Sequence, residues 1–156
     1  MKKLLVLLSF CTLALSLFGC TPSDVVIDSL PAYQDMAMYT EGDFQDYTDF
    51  AIYTYDDLDE AVLKNNSYFH KITTEDMQNI LAYIDNFEQW IDVFRSGSDA
   101  SELAAHYSFD KSIIDEKDYI CIETNAKSST YERFDNYSVY FFDTDTCTLY
   151  YFHNNI

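Results

Sequence analysis

The chain has 156 residues, with 27 Asp and Glu against nine Lys and Arg, and its formal net charge is −18. A surface this negative repels phosphate backbones, so the composition excludes nucleic acid as a favoured partner. The 14 Tyr and 12 Phe exclude a mainly disordered chain, and three Gly are too few for glycine-rich phosphate loops.

The first twenty residues have the pattern of an export signal. Lys2 and Lys3 form a basic start, and an uncharged apolar run over residues 4–18 follows. This run is shorter than the roughly 20 residues of a membrane-spanning helix, and it has the length of the hydrophobic region of a signal peptide. It leads into the tetrapeptide Leu17-Phe18-Gly19-Cys20.

This tetrapeptide resembles the lipobox of bacterial lipoproteins, in which an aliphatic residue, a small or aliphatic residue and Gly, Ala or Ser precede a cysteine. Leu17, Gly19 and Cys20 match the pattern, whereas Phe18 is larger than the usual residue at its place. The resemblance implies that residues 1–19 are removed as a signal peptide and that Cys20 carries the lipid. Its acyl chains, such as palmitate, then anchor the protein on the extracytoplasmic face of the cell membrane. The alternatives are an ordinary cleaved signal peptide and an uncleaved anchor.

Residues 20–43 are expected to form the lipidated N-terminus and a flexible tether, followed by a single domain over residues 44–156. Pro22, Pro31 and Gly42 break any regular period in the tether. Two short apolar stretches, 25–27 and 36–39, indicate that part of the tether docks on the domain. The β-forming residues of 44–55 predict a first strand, with a short helix as the alternative. Apolar spacing within 56–66 favours a short helix or a turn.

The clearest element is a long amphipathic helix that begins after Thr73. Thr73 is placed to cap the helix, and Asp76 occupies the capping-box position three residues later. Arg95 suits the negative end of the helix dipole, and Gly97 ends the helix. An apolar stripe recurs at steps of three and four residues: Met77, Ile80, Ile84, Phe87, Ile91 and Phe94.

The rest of the chain predicts a short helix over 101–107 and three strands over 118–124, 137–143 and 147–153. A tight connection over 143–146 closes the last two strands into a hairpin and pairs Phe142 with Cys147 and Tyr140 with Leu149. The fold class that follows is α+β, with one long amphipathic helix packed on a three- to four-stranded antiparallel sheet.

Most of residues 44–156 resembles a group of small proteins from Firmicutes-type bacteria. The matching segments are 72–90, 107–110, 118–120, 134–143 and 149–156. The resemblance implies a shared domain and a bacterial host, and it carries no active site to this chain.

Motifs for catalysis and for cofactors are not found in the sequence. His70, His106 and His153 lack the spacing of a zinc site, so neither a metal nor another cofactor is expected. No nucleophile elbow of the form Gly-x-Ser-x-Gly occurs, and no catalytic residue is assigned. Cys121 and Cys147 fall in strands that a third strand separates, so two free thiols are favoured over a disulfide.

Two groups of residues are candidates for binding. Asp56, Asp57, Asp59 and Glu60, together with Asp143 and Asp145, offer oxygen ligands for calcium, although ordinary solvated or turn acids are the favoured interpretation. An exposed aromatic platform for a sugar or peptide is the second candidate, with a role in the core as the favoured alternative. Its residues are Tyr53, Tyr55, Tyr140, Tyr150 and Tyr151.

Three hypotheses for function follow. The favoured one is a lipid-anchored, non-enzymatic domain that binds a ligand or partner, with an oligomeric state that the sequence leaves open. The second is an acidic surface protein that captures cations or cationic peptides, because the net charge attracts them. The least favoured is a cell-wall hydrolase that uses two carboxylates.

Overall fold

A computed structural model describes residues 24–43, 45–97, 99–124 and 132–156. The predicted signal peptide 1–19 and the predicted lipid attachment site Cys20 lie outside the described residues. Nine helices and strands are described, along with short 3₁₀ turns. In chain order they are β1 (Asp35–Gly42), β2 (Tyr47–Thr54), α1 (Glu60–Asn65), β3 (His70–Lys71), α2 (Thr74–Ser96), α3 (Glu102–His106), β4 (Tyr119–Thr124), β5 (Asn136–Asp143) and β6 (Thr148–Asn155).

The strands form one antiparallel sheet in the order β1-β2-β6-β5-β4-β3. The chain makes the β1–β2 hairpin, crosses to the opposite edge for β3, and returns inward through β4, β5 and β6 until β6 pairs with β2. The predicted α+β class is confirmed, whereas the predicted count of three to four strands was wrong. The two additional strands are the edge strands β1 and β3. The prediction missed β3 because it has only two residues, and it missed β1 because that segment was assigned to the tether.

The domain therefore begins earlier than the predicted boundary at residue 44. Val26 is fully buried, and Leu30 is nearly so. Asp24 Oδ1 accepts hydrogen bonds from the backbone N–H groups of Val26 and Ile27 at 2.9 and 3.1 Å. Asp24 Oδ2 accepts a further bond of 2.8 Å from the Tyr140 hydroxyl. The tether prediction failed because β1 alternates weakly, with mostly exposed side chains, so its sequence has no clear strand period.

Helix α2 begins and ends where the sequence predicts. The capping box is present: Asp76 Oδ2 accepts from the Thr73 N–H at 2.9 Å, and the Thr73 hydroxyl oxygen accepts from the Asp76 N–H. At the other end the Gly97 N–H donates to the carbonyl of Phe94. The centre of the predicted stripe is buried, and Tyr83 is buried beside it because its ring packs 4.9 Å from that of Tyr137.

The predicted register of the β5–β6 hairpin was wrong by two residues. Phe142 pairs with Leu149 and Tyr140 with Tyr151. The loop is wider than expected because the Asp143 carboxylate accepts bonds from the N–H of Asp145 and the hydroxyl of Thr146. Cys147 then closes the loop in the left-handed region, with φ of 51°. A shift of two leaves every side chain on its predicted side of the sheet.

The sheet separates two apolar clusters. We call the side covered by α2 and α3 the helix face; its core includes Phe50, Ile84, Phe87, Phe141 and Phe152. We call the other side the N-terminal face, because residues 24–30 and α1 cover it. Its cluster includes Val26, Leu63, Tyr119, Phe142 and Leu149. These covering segments are short, so part of the N-terminal face stays open.

Candidate functional site

A groove runs over the open part of the N-terminal face. Its floor is formed by side chains of β1, β2 and β6. The segment between Asp24 and β1 forms one wall. The groove has a volume of about 690 Å³, which is within the range that holds a small ligand. Tyrosine and methionine side chains supply most of the apolar lining, and four aspartates also line the groove: Asp24, Asp28, Asp43 and Asp49.

Asp49 is the polar centre of the floor. It lies in the middle of β2, in register with Thr40 of β1 and His153 of β6. The residue is only 6% exposed, and its Oδ1 atom has no hydrogen-bond partner. Burial raises the pKa of Asp49, while a hydrogen bond with Thr40 and the proximity of His153 act in the opposite direction. A buried carboxylate oxygen without a partner is rare in a native fold, so Asp49 is the most unusual polar residue on this face.

Asp49 belongs to a row of polar side chains that crosses five strands. Cross-strand register places Thr40, Asp49, His153, Ser138 and Glu123 side by side on the N-terminal face. The Ser138 hydroxyl and His153 Nδ1 are 2.9 Å apart, whereas the buried Nε2 atom of His153 has no partner. Burial lowers the pKa of His153, against the opposing effect of Asp49. The imidazole is therefore neutral at neutral pH.

The row contains Ser, His and Asp, but their geometry is not that of an activated serine. That activation requires the histidine to be hydrogen-bonded to both partners. Within the described part of the chain, His153 makes no ion pair with Asp49 within 4 Å. Ser138 also lies in the middle of β5, between β4 and β6, whereas an oxyanion hole needs backbone donors that are not already used in a sheet.

Tyrosine rings form the sides of the groove. The rings of Tyr33 and Tyr53 meet edge-on at 5.1 Å, and Tyr47 packs 5.1 Å from the ring of His153. Burial, with the nearby charge of Asp24, raises the pKa of Tyr53 to about 12, and burial raises that of Tyr151 as well. Both hydroxyls therefore stay neutral, and the negative charge of the groove comes from its aspartates.

The aromatic platform predicted from the sequence is only partly assembled. Tyr53 and Tyr151 line the groove. Tyr140 is buried on the same face and donates to Asp24, and Tyr55 packs against the ring of Phe142 at 5.7 Å. The remaining member, Tyr150, lies on the helix face, where its ring contacts that of Phe109.

The acids considered for calcium take part in local structure. Asp59 Oδ1 accepts from the Ala61 N–H and caps α1, and Glu60 pairs with Lys64 at 2.9 Å. Asp143 shapes the β5–β6 loop, and Asp145 pairs with Lys117 at 2.8 Å. Asp56 and Asp57 are exposed. Among the residues described, no group of three or more His, Cys, Asp or Glu side chains is arranged to hold a metal ion.

The remaining histidines and the cysteines lie outside the groove. His106 Nδ1 is 2.9 Å from the carbonyl oxygen of Glu102, and its ring stacks on Tyr39 at 4.5 Å. His70 Nε2 is 3.6 Å from Asp76. Cys121 and Cys147 are free thiols, as expected. Cys147 lies in the hairpin loop and not in a strand, and burial raises the pKa of the Cys121 thiol to about 12.

Sequence reasoning missed the groove and Asp49. The available signal was an aspartate in the middle of the β-forming run Tyr47-Thr-Asp-Phe-Ala-Ile-Tyr, where its strand period places it on the same side as Ala51 and Tyr53. Its neighbour Thr40 lies in a segment that was assigned to the tether, and His153 is distant in sequence, so only the sheet register brings the three together.

Comparison with protein-family models, with curated proteins and with solved structures found no match. Within the ranges that the structure describes, no helix has the length and apolar character needed to cross a membrane.

Proposed function

We propose that this protein is a bacterial lipoprotein, anchored through Cys20 on the extracytoplasmic face of the cell membrane, and that it acts as a non-catalytic binding domain. The lipobox-like tetrapeptide supports the anchor. The groove of the N-terminal face is the proposed ligand site, and the observation that carries this proposal is the Asp49 carboxylate, which is 6% exposed among the tyrosine and methionine side chains that line the groove.

The energetics of burial explain why this carboxylate supports a ligand site. An unsatisfied buried polar group costs about 1–3 kcal/mol, and more when it is charged. The fold retains Asp49 at the floor of a groove with an aromatic lining, where apolar residues such as Ala51 occupy neighbouring positions. A cationic group in the groove would offset part of the cost of burying this carboxylate, so the site is better suited to binding than to packing.

Capture of cations or cationic peptides is the second candidate, and the charge distribution favours it. The chain has a net charge of −18, and four aspartates line the groove. None of the groove-lining side chains is Lys or Arg, counted over the described residues. Capture by the general surface charge should weaken strongly between low and physiological ionic strength, whereas binding in the partly buried groove should depend less on salt.

The anchor is tested by mass spectrometry of the native protein and by membrane fractionation of a Cys20→Ala variant. We expect a first residue of Cys20 carrying diacylglycerol, and loss of the variant from the membrane fraction. A native protein that starts elsewhere, or that has an unmodified thiol at Cys20, contradicts the anchor.

The groove is tested by amide NMR titrations with three probes of different charge: butylamine, butyrate and glucose. At least one probe should shift the amide signals of β1, β2 and β6. An Asp49→Asn variant should lose these shifts, and an Asp92→Asn variant, which loses the same charge on α2, should keep them. Shifts confined to other regions, or no shifts with any probe, contradict the groove as a ligand site.

A further inference from the structure

We infer that the edge of the sheet at β1 binds an extended, basic segment of another polypeptide as an additional antiparallel strand. The segment places apolar side chains on the N-terminal face, beside the groove, and basic side chains on the helix face. This inference rests on the proposed function of a binding domain and adds the class of its partner.

Strand β1 is a long sheet edge that lacks several features that usually block pairing. Its eight residues pair with β2 in an unbroken register, so the strand has no bulge. It contains neither proline nor lysine, which commonly protect an exposed edge. Within the described parts of the chain no strand lies beyond β1, whereas the opposite edge, β3, has only two residues. Another strand therefore has a full-length edge to pair with only at β1.

The strand register shows which backbone groups of β1 point outward. The Asp43 N–H donates to the carbonyl of Asp46 at 3.0 Å, in the same register as the β1–β2 ladder. Hydrogen-bonded and non-hydrogen-bonded pairs alternate along an antiparallel ladder. The N–H and C=O groups of the even-numbered residues of β1, such as Met38, therefore point away from β2. The Met36 N–H agrees with this assignment, because it donates to the Asp35 carboxylate at 2.9 Å.

The side chains around β1 leave this edge open. Met38 is 46% exposed, and Ala37 and Thr40 are also exposed. Helix α3 contacts β1 on the helix face, where the ring of His106 stacks on that of Tyr39 at 4.5 Å. Ala37 has its side chain on the same face as Tyr39 and is nevertheless exposed, so α3 does not cover the edge.

The side chains of β1 determine the residue pattern of the added strand. Directly opposed residues have their side chains on the same face, about 5 Å apart. On the N-terminal face these neighbours are Met36 and Met38, which line the groove, so apolar side chains fit there. On the helix face they include Asp35 and Glu41, and neither forms an ion pair with a basic residue that the structure describes. Basic side chains therefore fit on that face.

Charge distinguishes a basic partner from a second copy of this chain. Two-fold antiparallel pairing of two β1 edges about Met38 would place Asp35 of one copy opposite Glu41 of the other. Like charges in directly opposed positions are destabilising. Each copy also has a formal net charge of −18, which repels another copy and attracts a basic segment. The charges of β1 therefore disfavour self-association and favour a basic strand.

The pairing is tested by amide NMR titration of the native protein with the acetylated and amidated peptide Lys-Val-Lys-Val-Lys-Val-Lys. In the antiparallel arrangement its valine N–H groups face β1 and its lysine N–H groups face solvent. A peptide that is N-methylated on its three valines should bind at least tenfold more weakly than the parent peptide. A peptide that is N-methylated on three lysines should bind within threefold of the parent peptide. The two methylated peptides have the same charge and mass, so a difference between them reports backbone pairing.

Variants of the protein test the same edge. Met38→Pro removes an outward N–H that the β1–β2 ladder does not use, and it should weaken binding of the parent peptide at least tenfold. Met38→Ala keeps that N–H and should change binding by less than threefold. The double variant Asp35→Asn, Glu41→Gln should lose at least threefold, whereas Glu75→Gln, Asp92→Asn on α2 removes the same charge and should change binding by less than twofold. Thermal unfolding verifies that each variant folds, and the charge variants test the edge if Met38→Pro does not fold.

Four outcomes overturn the inference in different ways. Equal binding of the two methylated peptides shows capture by overall charge without strand pairing, and a larger loss on lysine methylation excludes the antiparallel direction. A dimer of the free protein in analytical ultracentrifugation, with concentration-dependent shifts of the β1 amides, identifies a second copy as the occupant. If the peptide does not bind while butylamine, butyrate or glucose shifts the amide signals of the groove, the partner class is wrong and the proposed function stands. If none of these probes binds, the proposed function is wrong as well.

Discussion

The two faces of the sheet are covered in different ways, and the difference locates the candidate site. On the helix face a 23-residue helix covers the strands, and the rings of Phe50, Phe87, Phe109 and Phe152 contact one another beneath it. On the N-terminal face, a 3₁₀ turn and the six-residue helix α1 cover only part of the sheet. The uncovered part is lined by Asp49 and tyrosines, so the fold is stabilised mainly on one face and open to a ligand on the other.

The largest effect should come from a cavity on the helix face. Phe87 is fully buried and contacts the rings of Phe50 and Phe152. We expect Phe87→Ala to lower the free energy of unfolding by about 3–5 kcal/mol, as measured by urea denaturation. Val93→Ala on the same helix is the control, because Val93 is 54% exposed and should change stability by less than about 0.5 kcal/mol. A small effect of Phe87→Ala would show that the helix face is not the main source of stability.

A smaller loss should follow from releasing the N-terminal segment. In Asp24→Ala, the N–H groups of Val26 and Ile27 and the hydroxyl of Tyr140 lose their acceptor. We expect a loss of about 1–3 kcal/mol, with faster hydrogen exchange over residues 26–30. The double variant Asp24→Ala, Tyr140→Phe should lose less than the sum of the single changes, because one shared bond is removed only once. Additive losses would contradict the contact between Asp24 and Tyr140.

The smallest effect should be a gain in stability at the open face. Burial raises the pKa of Asp49 above its usual value of 3.8, so the folded state holds this proton more tightly than the unfolded state. The contribution of Asp49 to stability therefore falls as pH rises from about 4 through the raised pKa. Asp49→Asn should be more stable than the parent at pH 7 by about 1 kcal/mol, and the gain should shrink below pH 4. Thermal unfolding of both proteins across this pH range measures the gain in stability. An Asp49→Asn variant that is less stable than the parent at pH 7 would show that the carboxylate is satisfied within the fold.

The elements predicted correctly are those whose signals are local. Helix α2 was predicted with its cap at Thr73 and its end at Gly97, because capping residues and the apolar stripe act within one or two turns. Strands β2, β4, β5 and β6 were found from runs of β-forming residues. Strand β1 was missed because its residues are mostly exposed on both sides, and the β5–β6 register was missed because the Asp143 side chain widens the loop.

The candidate site was less predictable, because its members come from distant positions. Asp49 and His153 are separated by more than 100 residues and become neighbours only through the pairing of β2 with β6. Tyr53 and Tyr151 were candidates from the sequence and do line the groove. Tyr150 differs because a one-residue step along a strand places it on the opposite face, where its ring packs against that of Phe109.

By itself, the amino-acid sequence determined the acidic character, the long capped helix, the α+β class and the expectation of a lipid on Cys20, because composition, helical period and a short motif are properties of neighbouring residues. The tertiary structure alone decided that residues 24–43 belong to the domain, that the sheet has six strands, and that the nearly buried Asp49 lies at the floor of a groove. The physical reason is that strand pairing and burial depend on contacts between segments far apart in the chain, and no local pattern determines which segments meet.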